Sequence, residues 1–320
     1  MSNQQKPQGL RGNQPSRELR LRLPATSANL GPGFDAVAVA LDFYLEIEAE
    51  AAEEFSISAT GRDADRCAQL KDNLVLEAYK KILRDHERPV VPLAIRMVNE
   101  IPLGMGCGSS AAGRLAAIAL AVHFGELDWN TDRILEEAYQ LEGHPDNVAA
   151  CWLGGFVVAL CEGSKVHAMK VIPPGEWRAI VALPAEPLAT SKARAVLPAS
   201  YAIADVVANL QAVATLGLAF AEGRGDLLRL AMNDRIHQPY RAPYCSLLPI
   251  LAPLVGDHGI LGVTLSGAGP AVLVVLDRES SEKAASSAIR ESIGNQTKAE
   301  LTICRFSREG ASQLIETKRC

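Results

Sequence analysis

The segment Ile101-Pro-Leu-Gly-Met-Gly-Cys-Gly-Ser-Ser-Ala-Ala112 places a glycine at every second position and runs straight into an alanine-rich apolar stretch. Gly104, Gly106 and Gly108 permit backbone conformations that side chains resist. The pattern predicts a helix opening at Ser109 and Ser110, with Ala111 to Phe124 as its body. A helix start offers unpaired N–H groups and the positive end of the dipole, which together suit a phosphate. A plain tight turn is the alternative. No lysine lies near the loop, which rules out a Walker A motif. A dinucleotide fold requires Gly-x-Gly-x-x-Gly after its first strand, and the spacing here differs. The His-Arg-Asp and Asp-Phe-Gly triplets of protein kinases are absent.

The chain around this loop is 320 residues long, which predicts two domains. Residues 1–17 are rich in Gln, Asn and Pro without an apolar core, and are expected to form a disordered extension rather than a secretory signal. Strands are expected at 18–23, 37–49, 55–59, 93–99 and 156–160, and helices at 73–84 and 130–142 with Gly143 as the stop. Pro173-Pro-Gly175 marks the boundary between a domain at 18–172 and a second at 173–320. In the second, strands are expected at 178–183, 263–265, 272–276 and 301–306, and helices at 201–221, 226–233, 249–255 and 280–292. Strands and helices mix without strict alternation, so the class is α+β. A net charge of −5 favours neither nucleic acid nor a membrane surface as partner. The apolar stretches are interrupted by Gly, His or charge, so no bilayer span is expected. Seven cysteines without metal-ligand or redox spacing point to reduced thiols in a cytoplasm.

Pro102-Leu-Gly-Met-Gly-Cys-Gly-Ser-Ser-Ala-Ala112 resembles the ATP loop of the superfamily of galactokinase, homoserine kinase, mevalonate kinase and phosphomevalonate kinase. Pro24-Ala-Thr-Ser-Ala-Asn-Leu-Gly-Pro-Gly-Phe-Asp35 is similar to its first motif, in the version typical of homoserine kinases. Thr264-Leu-Ser-Gly-Ala-Gly-Pro-Ala271 resembles its third, and Glu142-Gly-His-Pro-Asp-Asn-Val148 a string of the homoserine kinases. The likeness runs in order from about residue 18 to residue 306. It implies an N-terminal domain like domain 2 of ribosomal protein S5, a C-terminal ferredoxin-like sandwich, and an active site in the cleft between them. It also implies ATP and Mg2+ as cofactors, L-homoserine as the phosphorylated substrate in threonine biosynthesis, and homodimers as a common assembly. The rivals are a sister kinase acting on mevalonate, a mevalonate phosphate or a sugar, and a non-catalytic ligand sensor.

By the same resemblance ATP is held by Pro102, Leu103, Gly104, Met105, Gly106, Cys107, Gly108, Ser109, Ser110, Ala111 and Ala112. Cys107 departs from the leucine usual there; a buried thiol is a small hydrophobe, so the cradle is expected to survive. Ser110 and a glutamate of the next helix are implied as metal ligands. At about 100° per residue the apolar face is Ile134, Leu135, Ala138 and Leu141, which selects Glu142 as the inward carboxylate and turns Glu136 to solvent. Asp35 with Asn29 is implied to hold the substrate ammonium, and Thr190, Arg194 and Arg241 its carboxylate, since an arginine fork matches a carboxylate. His144 orients the loop facing the hydroxyl. Asp146 is either a general base, or attack is direct with Asn147 orienting the hydroxyl. His237 and Tyr240 are read as packing around Arg241.

Overall fold

The computed structural model describes residues 18–188 and 190–318. The expected extension at 1–17 lies outside the described residues. Among the described residues eleven strands form two sheets: β1 Glu18–Asn29, β2 Gly33–Ala51, β3 Ser56–Gly61, β4 Leu93–Asn99, β5 Phe156–Glu162, β6 Lys165–Val171, β7 Arg178–Pro184, β8 Ile260–Leu265, β9 Val272–Leu276, β10 Ala299–Arg305 and β11 Ile315–Lys318. The larger sheet runs β11-β1-β2-β4-β3, with β5 pairing β2 and β6 pairing β5. Its pairs are antiparallel except β3–β4. The smaller sheet runs β10-β7-β9-β8. This is the mixed, non-alternating arrangement of an α+β protein.

Pro173–Gly175 falls between β6 in one sheet and β7 in the other, and β11 brings the chain's end back beside β1. Among the described residues the larger apolar core fills the larger sheet and continues onto one face of the smaller through Ala179, Val181, Leu273 and Val275, while a second core lies on the smaller sheet's other face. The larger centres on the Ser109–Phe124 helix, which is buried nearly all round and packs on β1 and the Leu74–Asp85 helix. Asn73 caps the Leu74–Asp85 helix by accepting from the N–H groups of Val75 and Leu76. Leu247, Leu248, Leu251, Ala285, Ile289 and Ile293 cover one face of the smaller sheet. Phe220 joins the halves: it stacks on Phe156 at 4.3 Å and meets Trp177 edge-on at 5.2 Å.

Three departures from the sequence reading have physical causes. Residues 146–153 form a helix that begins at Asp146, where a loop was expected over 144–147. Val148-Ala-Ala-Cys-Trp152 is buried throughout and so carries no amphipathic period. The β6 strand, Lys165–Val171, was not anticipated because its burial is shallow. Among the described residues one helix, Ile203–Glu222, is long and apolar enough to cross a bilayer, with mean hydropathy 1.6. No span was expected, because Gly, His or charge interrupts the apolar stretches, here at Asp205 and Gly217.

Truncation of Phe220 removes the ring that ties β5 to the second half. Phe220→Ala is expected to cost about 3 kcal/mol or more of stability, read from urea unfolding; a loss below about 1 kcal/mol would show that the two halves are fastened elsewhere.

Candidate active site

Gly104, Gly106 and Gly108 all adopt positive φ, at 74°, 85° and 72°. A Cβ at Gly106 would collide with the Ser266 carbonyl, and one at Gly108 with the Thr26 hydroxyl. The loop is therefore glycine for lack of space as much as for backbone freedom. The Thr26 N–H donates to the Cys107 carbonyl at 3.1 Å, and the Ser266 hydroxyl to the Gly106 carbonyl at 2.8 Å. The Ala271 N–H donates to the Met105 carbonyl at 3.2 Å. All three glycine-bearing motifs thus meet at one point. Gly108 opens the Ser109–Phe124 helix, and no side chain caps that start, leaving its N–H groups to an anion. Burial pushes the Cys107 thiol up to about 12, so it packs as a neutral apolar group.

Glu142, the last residue of the Thr131–Glu142 helix, faces inward with 8 % of its side chain exposed. The Ser110 hydroxyl donates to its Oε2 at 2.9 Å, and the Arg114 guanidinium pairs with the same oxygen. Glu137 is also buried but is held by Arg133 at 2.7 Å, and Glu136 is only partly exposed, 3.8 Å from the same arginine. Sequence reasoning missed Arg114. Its signal was its position four residues after Ser110, on the same helix face.

Asp146 is buried and accepts from the Asn147 N–H at 2.7 Å. His144 Nδ1 lies 3.2 Å from the same carboxylate oxygen. Burial alone would lower the His144 pKa, but the hydrogen bond and charge of Asp146, with Glu142 and Asp35 beyond, together raise it. Asn147 Oδ1 accepts from the Thr26 hydroxyl at 2.6 Å, which leaves its amide nitrogen as the donor.

Asp35 sits in left-handed backbone at φ 56°, as do Asn29 and Leu30 before it, a concentration of strain of the kind that functional sites hold. The Asn29 side chain fixes the turn, accepting from the Asp35 N–H at 3.0 Å and donating to the Gly267 carbonyl at 2.7 Å. Asp35 and Arg194 were expected to face different substrate groups. Here they face each other in a two-pronged ion pair at 2.7 and 2.9 Å. Arg241 is 1 % exposed, donates to the Ala193 carbonyl at 3.0 Å, and has no carboxylate within 4.0 Å among the described residues. Burial first, and Arg194 second, depress its pKa. His237 supports it, 3.1 Å away, and Phe34 lies beneath both guanidinium groups. Tyr240 is partly exposed and stacks edge-on with Tyr201. Thr190 begins the short Thr190–Ala195 helix, and its side chain is outside the described part of the structure.

Two cavities share Gly104, Ser109 and Ser110. One of about 110 Å³ gathers Asn29, Asp35, Glu142, His144, Asp146, Asn147, Arg194 and Arg241. The other, about 370 Å³, is more apolar and lined by Leu45, Asn73, Val75, Met97 and Leu103 among others. Of these only Leu103 stood out in the sequence, because the rest come from separate strands and a helix.

A glycine loop opening a helix at the junction of a polar and an apolar cavity is the plan of a nucleotide-dependent kinase of small molecules. Residues 73–155 match the family described as GHMP kinases N terminal domain, and residues 218–295 that described as GHMP kinases C terminal. A homoserine kinase of Solibacter usitatus is 42% identical over 81% of this chain and 85% of its own length. One of Carboxydothermus hydrogenoformans is 38% identical over 92% and 97%. In fold, the chain superposes on a homoserine kinase crystal structure from Cytophaga hutchinsonii with a TM-score of 0.79 at 22% identity, covering 98% of this chain and 100% of that one. The chain belongs to the GHMP kinase family, among its homoserine kinases. It is thus a transferase of an ATP-using family with the two-domain fold that the motifs implied.

The raised His144 pKa fixes the sign of a pH effect. Its pairing with Asp146 contributes fully below 6.5, the ordinary value, and is lost as pH rises through the raised folded value. The stability difference between the native protein and His144→Gln is therefore expected to hold steady below 6.5 and to shrink as pH rises above it. Chemical denaturation on both sides of that value checks it, and a constant difference would place the histidine outside the ionised network.

Proposed function

We propose that this protein transfers the γ-phosphoryl group of ATP to the side-chain hydroxyl of L-homoserine, giving O-phospho-L-homoserine for threonine biosynthesis. The observation that carries this reading is the pairing of a buried, carboxylate-free Arg241 with the Asp35–Arg194 couple in one small polar cavity. An amino acid brings a carboxylate for the two guanidinium groups and an ammonium for Asp35, so each charge in the cavity gains a partner. Mevalonate brings a carboxylate but no cation, which leaves Asp35 without a replacement once Arg194 turns to the ligand. The free thiols at six described cysteines suit the cytoplasm.

The triphosphate is assigned to the uncapped N–H groups of the Ser109–Phe124 helix and the glycine loop, with the nucleoside in the larger apolar cavity. Ser110 and Glu142 would supply one hydroxyl and one carboxylate oxygen, and among the described residues no group of three or more His, Cys, Asp or Glu is arranged to hold a metal ion by itself. That sparse oxygen set fits Mg2+, which takes few protein ligands and would supply neutralising positive charge for the triphosphate. Asn147 donates from its amide nitrogen to the homoserine hydroxyl and aims its oxygen at phosphorus. The new P–O bond forms as the bond to the β-phosphate bridge breaks, ADP leaves, and the hydroxyl proton passes to the transferred phosphoryl oxygens. Asp146 fixes the loop through Oδ1, which accepts from the Asn147 N–H and lies 3.2 Å from His144 Nδ1. Charge stabilisation at the triphosphate then carries direct attack, without an obligatory base at Asp146.

An ATP-consumption assay with L-homoserine, mevalonate and L-threonine tests the substrate: turnover should require homoserine, and its absence with homoserine sinks the proposal. Arg241→Lys should raise the KM for homoserine by about tenfold or more while leaving that for ATP within about twofold, because a lysine cannot reproduce the fork. Asp146→Asn separates the mechanisms. Near-normal kcat is expected, whereas a fall of about a thousandfold or more would identify Asp146 as the base.

A further inference from the structure

The same oxygen of Glu142 that accepts from Ser110 is also held by Arg114, and the other, Oε1, lies 4.0 Å from His144 Nε2. Both oxygens of this nearly buried carboxylate therefore face donors of the protein itself. A buried carboxylate without a cation is costly, and the guanidinium offsets that cost before any ligand arrives. Arg114 stands one helical turn after Ser110, so its guanidinium occupies the side of Glu142 that a cation shared with Ser110 must approach. Two positive charges on one oxygen repel. Its long stem, with 24 % of the side chain exposed, allows the head to swing away without moving the helix.

We propose that Arg114 is a resident counter-ion: it fills the cation position at Ser110 and Glu142 in the nucleotide-free enzyme and yields it to the divalent cation that enters with the triphosphate. The site then takes up metal with nucleotide and resists metal alone. This inference rests on the assignment of Ser110 and Glu142 as metal ligands made above. Arg114 is a positioning residue, since it acts through Glu142.

The test is direct binding of Mn2+, without nucleotide, to the native enzyme and to Arg114→Gln, followed by electron paramagnetic resonance of the free ion. Arg114→Gln should bind Mn2+ at least about tenfold more tightly, because the carboxylate it uncovers has no other cation. Arg114→Lys, which retains the charge but loses the fork and is the safer variant for folding, should show an intermediate gain of about threefold. The double variant with Glu142→Gln should lose the gain. In thermal unfolding, Mn2+ should raise the Tm of Arg114→Gln more than that of the native enzyme, since at a given concentration a tighter ligand stabilises the folded state more. Unchanged or weaker Mn2+ binding in both single variants overturns the inference. Glu142→Gln in the ATP complex tells the two levels apart. If it leaves Mn2+ affinity there unaltered, the metal-site assignment itself fails. If it weakens that affinity while Arg114 variants bind as the native enzyme does, only the counter-ion role fails.

Discussion

The absence of room at Gly106 and Gly108 is the constraint on which the rest of the structure depends. One Cβ would strike the Ser266 carbonyl and the other the Thr26 hydroxyl, and these two residues come from opposite ends of the chain. Because backbone meets backbone there, hydrogen bonds from Thr26, Ser266 and Ala271 can fasten the loop on both sides. The larger sheet delivers Thr26 through β1, and the smaller sheet delivers Ser266 from the end of β8. The loop is thus the seam between the halves as well as the opening of the buried Ser109–Phe124 helix. Every other polar group of the site takes its position relative to that seam.

Charge in the site is arranged in self-satisfied pairs. Asp35 faces Arg194, Glu142 faces Arg114, and Asp146 faces His144. Arg241 is the exception, a buried guanidinium answered by a carbonyl and an imidazole instead of a carboxylate. Such a group raises the value of any anion that reaches it, because its desolvation has already been met by the fold.

Much of this was legible in the sequence. The helices at 73–84 and 130–142, with Gly143 as the stop, were readable because helical period and capping chemistry are local. Glu142 could be separated from Glu136 by helical geometry alone, since one face of that helix is apolar. The Asp146–Leu153 helix was not legible, because a fully buried segment has no polar face to give it a period. Nor was the pairing of Asp35 with Arg194, which lie 159 residues apart and meet only through the tertiary fold. Arg114 was hidden for a different reason: within an apolar run a single arginine reads as a surface residue until Glu142 is placed beside it. Family motifs mark which segments matter, whereas the partner of each charge is set by the tertiary fold.

The Asp35–Arg194 couple makes the ligand-free cavity electrically closed there. A lone amine could satisfy Asp35 only by stranding Arg194, and a lone carboxylate that drew Arg194 away would strand Asp35 in the same way. On the substrate assignment proposed above, a molecule bearing both charges at amino-acid spacing would replace the couple without remainder. Cellular metabolites would then be sorted first by whether their charges come in opposite pairs, and only afterwards by the length and shape of the side chain that carries the hydroxyl.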